Sequence, residues 1–179
     1  IGSFHAAREE EAKLLQLVED FAQGQKAGSV QFSEVGDFNG KVLFLKPEKN
    51  LFLSEINKEL HTLLLPKFEK AEKAAQENLK SAVQSKNNHD QANAWMQIAL
   101  AKAGMKNYDG AELDIIRKAI PLYNKSKAYG DKIIAWQQLA QVYFDQNKFT
   151  EAQWFLLQAQ QLAENKKLTH ELAAIEYVL

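Results

Sequence analysis

Residues 90–164 repeat themselves at a constant offset of 41 residues, and this repetition limits the fold more than any other feature of the sequence. Repeats of this length are typical of solenoids built from helix pairs. One such unit cannot bury its apolar face alone, so neighbouring units must complete a continuous core. Eight positions of the first copy have an identical or similar residue in the second: Trp95 and Trp136, Gln97 and Gln138, Ile98 and Leu139, Ala99 and Ala140, Tyr108 and Phe149, Ala111 and Ala152, Ile115 and Leu156, Ile116 and Leu157.

Residue usage predicts an all-α protein with a small appendage. The chain of 179 residues contains only 3 Pro and 8 Gly, and it is rich in residues that favour helices. Several of the glycines fall between Gly24 and Gly40, which separates an irregular N-terminal section from a long helical one. We expect an N-terminal helix and β-hairpin at residues 1–50 and a helical repeat domain at residues 51–179.

The N-terminal section changes its hydrophobic period partway. From Ser3 to about Ala22, apolar residues recur at helical spacing and acidic residues occupy the first turns, which predicts one amphipathic helix. Over residues 29–46 the pattern then changes: Val30, Phe32 and Val35 are spaced by two or three residues, the chain turns at residues 36–40, and an apolar run at residues 42–45 follows. This second pattern predicts the β-hairpin.

Two further helices are expected between Ser54 and Ser85. They are separated at Pro66, because proline lacks the N–H that the interior of a helix needs. We interpret them as a degenerate first pair of the repeat array. A loop at residues 86–90 follows, and Asp90 is the expected N-cap of the next helix.

The residues inside each repeated unit form a pattern known from a protein family. The second unit reads Trp136-x-x-Leu139-Ala140-x-x-Tyr143, then Phe149-x-x-Ala152, Leu156 and Ala159. The first unit departs from this pattern at Lys102, where an aromatic residue is expected, and matches it at Trp95, Ile98, Ala99, Tyr108, Ala111 and Ile115. The pattern resembles the tetratricopeptide repeat (TPR) family, in a type with long units. A third unit begins at Thr169.

The resemblance implies a TPR-like superhelix of antiparallel helix pairs, in which the first helix of each pair lines a concave groove. The aromatic residues expected in its core are Trp95, Trp136, Tyr143 and Phe149. Trp154 is expected to be partly exposed, because its counterpart Leu113 lies outside the core pattern of the family.

By this resemblance the protein is a non-catalytic interaction scaffold that binds a peptide or a partner protein in the groove. Family members that hold a C-terminal carboxylate use Lys and Asn on these helices, and the Gln, Met and Leu found here do not support such a clamp. An amide-rich groove favours hydrogen bonds from side chains to the backbone of a partner segment. The residues expected to face the groove are Asn93, Met96, Gln97, Leu100, Gln137, Gln141, Phe144, Asp145 and His170.

An alternative function is that of a regulatory or sensor fragment, whose repeats act as a dimerisation or relay platform. Leu172, Ile175 and Leu179 form an apolar stripe at the chain end, and Tyr177 and Val178 leave its outer side only partly polar. This C-terminal helix is where a homo-oligomer would form, because large exposed apolar patches are uncommon on monomers.

No residue pattern predicts catalysis, a metal or a cofactor. The absence of cysteine excludes thiol catalysis, zinc–thiolate sites and iron–sulfur clusters. The four histidines are scattered singly, and Asp37 and Asn39 lack the further ligands of a calcium loop. We therefore expect a protein that is not an enzyme and has no cofactor or metal.

Charge and hydropathy narrow the class of partner. The net charge of −1 argues against a nucleic-acid binder that works through bulk positive charge. The sequence contains no run of 18 apolar residues, so no segment is expected to span a membrane. We expect a soluble protein, and although the lack of cysteine leaves the compartment open, the cytoplasm is preferred over the periplasm.

Overall fold

The computed structural model describes residues 8–38, 42–47 and 50–169. Over these ranges the chain is predominantly α-helical, which confirms the predicted helical class. It divides into two compact units, Ile1–Leu64 and Leu65–Leu179. The boundary between them lies inside a helix, whereas the sequence places it near residue 50.

The first unit contains a helix and a pair of strands. Helix α1 runs over Arg8–Gly24. Strands β1 (Phe32–Phe38) and β2 (Val42–Pro47) pair antiparallel, with Val35 opposite Leu45. Residues 39–41, where the hairpin turn is expected, lie outside the described residues.

Helix α2 runs without a break over Leu51–Gln84. Asn50 caps it, since its Oδ1 accepts a hydrogen bond from the backbone N–H of Leu53 at 3.2 Å. The prediction of two helices separated at Pro66 is therefore wrong, and this stretch is not a degenerate pair. Proline removes a single helical hydrogen bond, and Thr62, whose carbonyl would accept it, is exposed to water.

Helix α3 (Asn88–Gly104) begins earlier than the sequence predicts. Its N-cap is Asn87 and not Asp90, because the Asn87 Oδ1 accepts hydrogen bonds from the N–H groups of His89 at 3.0 Å and Asp90 at 3.2 Å. Asp90 instead occupies the first turn, where its carboxylate complements the helix dipole.

The partner of α3 is a helix of three parts. It begins as α4 (Tyr108–Asp114), passes through a π-helical turn (Ile115–Ala119) and ends as α5 (Ile120–Ser126). All three parts pack against α3, and together they form the first helix pair.

The second helix pair consists of α6 (Tyr129–Asp145) and α7 (Phe149–Lys166). Helix α6 also contacts α3, α4 and α5, which joins the two pairs. Residues 170–179, which carry most of the predicted third unit, lie outside the described residues.

Helices α2, α3, α5, α6 and α7 all end in the same way. Within two residues of each end, one residue has a left-handed φ between 54° and 62°, and the N–H of the next residue bonds to the carbonyl five residues earlier, as in a Schellman motif. The left-handed residues are Lys86, Lys106, Lys127, Asn147 and Lys167. They are spaced by 20, 21, 20 and 20 residues, so one helix with its turn recurs almost evenly.

The core of the second unit is built largely from alanine. Small side chains at helix crossings let the backbones approach closely, and Ile115, Ile133 and Leu139 fill the remaining space without any exposure. The buried alanines of the two helix pairs are Ala92, Ala94, Ala99, Ala101, Ala111, Ala119, Ala135, Ala140, Ala152, Ala159 and Ala163.

The two repeat tryptophans are less buried than the sequence predicts. Trp95 and Trp136 are half-buried, and a lysine covers each of them. The Nζ of Lys118 lies 3.7 Å from the ring centre of Trp95, and the Nζ of Lys132 lies 4.4 Å from that of Trp136. Attraction between the ammonium group and the indole face replaces part of the expected core packing.

The other aromatic predictions have mixed outcomes. Tyr143 is buried as expected. Phe149 is 55% exposed, so its assignment to the core is wrong. It lies at the first residue of α7, at the end of the helix pair. The partial exposure predicted for Trp154 is confirmed, since 54% of that residue is accessible.

Candidate partner-binding groove

Helices α3 and α6, the first helices of the two pairs, expose the same set of positions one repeat apart. Residues at i, i+4 and i+7 of a helix share one face, and these positions form such a row on each helix. The rows consist of Asn93, Gln97 and Leu100 on α3 and of Ile134, Gln138 and Gln141 on α6. We call these six residues the groove stripe.

The groove stripe is uncharged and partly apolar. The amide side chains of Gln97, Gln138 and Gln141 can donate and accept hydrogen bonds, which suits the N–H and C=O groups of a partner backbone. The Asn93 amide is instead engaged by Tyr123 and His89. Leu100 is 37% exposed and Ile134 is 48% exposed, so both offer apolar contact area. The sequence prediction missed Ile134, although the repeat offset from Asn93 leads directly to it.

Two of the predicted groove residues do not belong to the stripe. Met96 is only 7% exposed and packs in the core with Ala92 and Ala99, so its assignment to the groove is wrong. Gln137 occupies the equivalent position one repeat later and is half-buried.

The remaining predicted residues lie at the C-terminal end of α6. Gln141 donates a hydrogen bond from Nε2 to Oδ1 of Asp145 at 2.7 Å. Phe144 is 56% exposed and meets Phe149 edge to face, with 5.2 Å between ring centres. An aromatic pair and one carboxylate therefore lie next to this end of the stripe, outside its six residues. His170 lies outside the described residues.

A chain of hydrogen bonds joins α3, α5 and α6 at the opposite end of the stripe. The Tyr123 hydroxyl donates to Oδ1 of Asn93 at 2.8 Å, and the Asn93 amide nitrogen lies 3.5 Å from Nδ1 of His89. The Nε2 of His89 is 3.0 Å from Oδ2 of Asp131. This geometry is satisfied throughout when His89 carries its proton on Nε2, and we assign that tautomer.

This hydrogen-bonded chain fixes how the first helices start relative to each other. His89 lies in the first turn of α3 and Asp131 in the first turn of α6, so their contact links the two pairs directly. Burial raises the pKa of Tyr123, and the charge of Asp131 raises it further, so the hydroxyl stays protonated as a donor. The sequence prediction treated His89 as a surface histidine, because nothing in its spacing indicates Asp131 or Tyr123.

The described residues contain no cluster of metal-ligating side chains. Among residues 8–38, 42–47 and 50–169, no three His, Asp or Glu side chains are grouped closely enough to hold a metal ion. The polar groups of the hydrogen-bonded chain are already paired with each other. Their arrangement suits alignment of helices.

Comparisons with known proteins leave the chain without an assigned family. No family model matches it, and no curated protein is similar to it. No helix in the described parts of the chain is long and apolar enough to cross a membrane.

Proposed function

We propose that this protein is a TPR-like scaffold that binds an uncharged peptide segment of a partner protein along the groove stripe, without catalysing a reaction. The proposal combines the residue pattern of the repeats with the surface that α3 and α6 expose. It concerns the second unit, and it assigns no role to the strands of the first.

Three features of the second unit support a repeat array of the TPR kind. Each first helix packs against the helix that follows it, and α6 also packs against the preceding pair. The left-handed helix ends recur every 20 or 21 residues. Ala99 and Ala140, at the small-residue position of the family pattern, are both buried.

The observation that carries the proposal is the groove stripe itself. Its six positions are equivalent in two adjacent helices, and none of them holds a charged side chain. A quarter of the whole chain is charged, whereas the stripe along these two neighbouring helices carries no charge. The contact between His89 and Asp131 holds the N-terminal ends of both helices in register.

The stripe favours a partner segment that presents its backbone and small apolar side chains. Gln97 and Gln141 can form hydrogen bonds with an extended backbone, while Leu100 and Ile134 add apolar contacts beside them. A strongly charged peptide finds no opposite charge on the stripe and would lose solvation on binding.

Selection from a library of random peptides displayed on phage, followed by titration calorimetry of the selected peptide, tests the proposal. Leu100→Glu places a charge in the stripe and is expected to weaken binding at least about tenfold, or about 1.4 kcal/mol. Leu113→Glu is the matched control, because Leu113 is a 50% exposed leucine on α4, outside the stripe.

Equal loss of binding in the two variants would place the binding surface elsewhere. The alternative function, a dimerisation platform, makes a different prediction. It requires the full chain to be a dimer by light scattering. It also predicts that no selected peptide binds more weakly to the Leu100→Glu variant. A monomer whose selected peptides all ignore the stripe contradicts both functions.

A further inference from the structure

Asp114 is a carboxylate buried in the middle of the first helix pair. It is only 3% exposed, and its two oxygens are bound by two different lysines. The Nζ of Lys102 lies 2.7 Å from Oδ2, and the Nζ of Lys118 lies 2.8 Å from Oδ1. A buried carboxylate is tolerated when it is paired in this way, and it is strongly destabilising when its partners are removed.

The second helix pair holds two aromatic rings at the positions of Lys102 and Asp114. One repeat of 41 residues leads from Lys102 to Tyr143 and from Asp114 to Phe155. The rings of Tyr143 and Phe155 are stacked, with 5.4 Å between their centres and 7° between their planes. The difference between the two units at Lys102 is therefore matched by a second difference at Asp114, across the same helix contact.

Both contacts join the first helix of a pair to its own second helix. Lys102 reaches from α3 to α4, and Tyr143 reaches from α6 to α7. Most other core positions are interchangeable between the pairs, because they hold alanine or a similar aliphatic residue in both. A packing of α3 on α7 would keep these aliphatic contacts, although it would lose the hydrogen bond from Tyr123 to Asn93.

The two contacts are not interchangeable. In a mismatched pair, Lys102 would face Phe155, or Tyr143 would face Asp114. Either combination separates the Lys102 ammonium group from the buried carboxylate. Lys102 would then lie against an apolar ring, and Asp114 would exchange a charged donor for the neutral hydroxyl of Tyr143, which binds a carboxylate more weakly. Exchange of equivalent elements between units or chains is a characteristic misfolding route of repeat proteins.

We propose that the Lys102–Asp114 and Tyr143–Phe155 contacts form a pairing code. The code makes each first helix pack on its own second helix and disfavours exchange of helices between two copies of the chain. This role goes beyond the proposed scaffold function and does not depend on it. The code acts during folding, before the four helices have packed against one another.

Two double variants of the full chain make the contact in one helix pair the same as the contact in the other. Lys102→Tyr with Asp114→Phe makes both pairs aromatic, whereas Tyr143→Lys with Phe155→Asp makes both pairs charged. The matched control is Lys125→Tyr with Asp109→Phe, which introduces the same residue types at exposed positions. Each protein is unfolded in urea and refolded at high protein concentration, and its dimer fraction is measured by size exclusion with light scattering.

We expect the dimer fraction of both coding variants to rise at least about threefold over that of the native chain, and the control to match the native chain. A native-like dimer fraction in the coding variants overturns the proposal. If only one variant refolds, that variant decides. Failure of both to fold at any concentration also overturns it, because the positions in the two pairs would then not be equivalent.

Discussion

Glycine at the left-handed helix ends should stabilise the second unit. Lys106 has a φ of 62°, in the region where a Cβ crowds the backbone at about 1–2 kcal/mol. Replacement by glycine removes that strain, but it makes the unfolded chain more flexible at about 0.5–1 kcal/mol. It also removes a lysine charge worth about 0.3 kcal/mol near a helix C-terminus. The expected net gain for Lys106→Gly is therefore about 0.5 kcal/mol.

The five ends belong to different turns and share no hydrogen bonds, so their contributions should add. Substituting glycine at all five should raise the free energy of unfolding by about 2 kcal/mol, with Asn147 contributing least because asparagine tolerates this conformation better. Urea unfolding followed by tryptophan fluorescence measures the gain. All three tryptophans lie in the second unit, so the signal reports on that unit alone.

Lys106→Ala is the decisive control, because alanine removes the charge and keeps the strained backbone. It should leave stability unchanged or lower it by a few tenths of a kcal/mol. If Lys106→Gly is no more stable than Lys106→Ala, the left-handed end is not strained and the reasoning fails. Equal gains from both substitutions would assign the effect to the lysine charge instead.

Three further predictions concern the core, the buried ion pair and the response to alkaline pH. Leu139→Ala should lower the free energy of unfolding by about 2–5 kcal/mol, and Leu113→Ala by less than about 1 kcal/mol, as measured in urea. Asp114→Leu alone or Lys102→Met alone should lower the free energy of unfolding more than the two changes together. A double-mutant cycle should therefore give a coupling energy of at least about 1 kcal/mol, and additive losses of stability would contradict the pairing. Burial raises the pKa of Tyr143 above its ordinary value of 10.0, and the hydrogen bond to the Glu112 carboxylate raises it further. Above pH 10 the folded state therefore keeps a proton that the unfolded chain loses. Its contribution is complete below about pH 10 and is lost as the pH rises through the folded-state pKa. Tyr143→Phe should therefore show a shallower alkaline loss of stability than the native chain, and an unchanged slope would refute this.

The sequence predicted what periodicity controls and missed what single contacts control. The repeat offset correctly predicts helices over residues 90–164, because amphipathic packing obeys the same period as the residues. It does not distinguish a groove position from a core position on one helix. For that reason it predicts Met96 in the groove, whereas Met96 is buried in the core. Pro66 is misjudged because a long helix tolerates the loss of one hydrogen bond at an exposed site.

Long-range polar contacts were beyond reach of the sequence. His89 and Asp131 are 42 residues apart, and neither has a neighbour pattern that indicates the other. Lys102 is visible in the sequence as a departure from the repeat pattern, but its partner Asp114 becomes visible only when the two helices are packed. A search for paired departures at equivalent positions would have found this contact, because Tyr143 and Phe155 differ from it together.

The π-helical turn at Ile115–Ala119 explains why the repeat length is uneven. The interval from Lys106 to Lys127 has 21 residues, and each of the other intervals has 20. A π-turn holds one more residue than an α-turn without breaking the helix, so it accommodates a one-residue insertion. From the end of this turn, equivalent residues of the two units lie 40 and not 41 residues apart. Ala119, the last residue of the turn, therefore corresponds to the equally buried Ala159 and not to Gln160. The π-turn thus takes up the extra residue of this interval within one turn, and α5 keeps the phase in which it packs against α6.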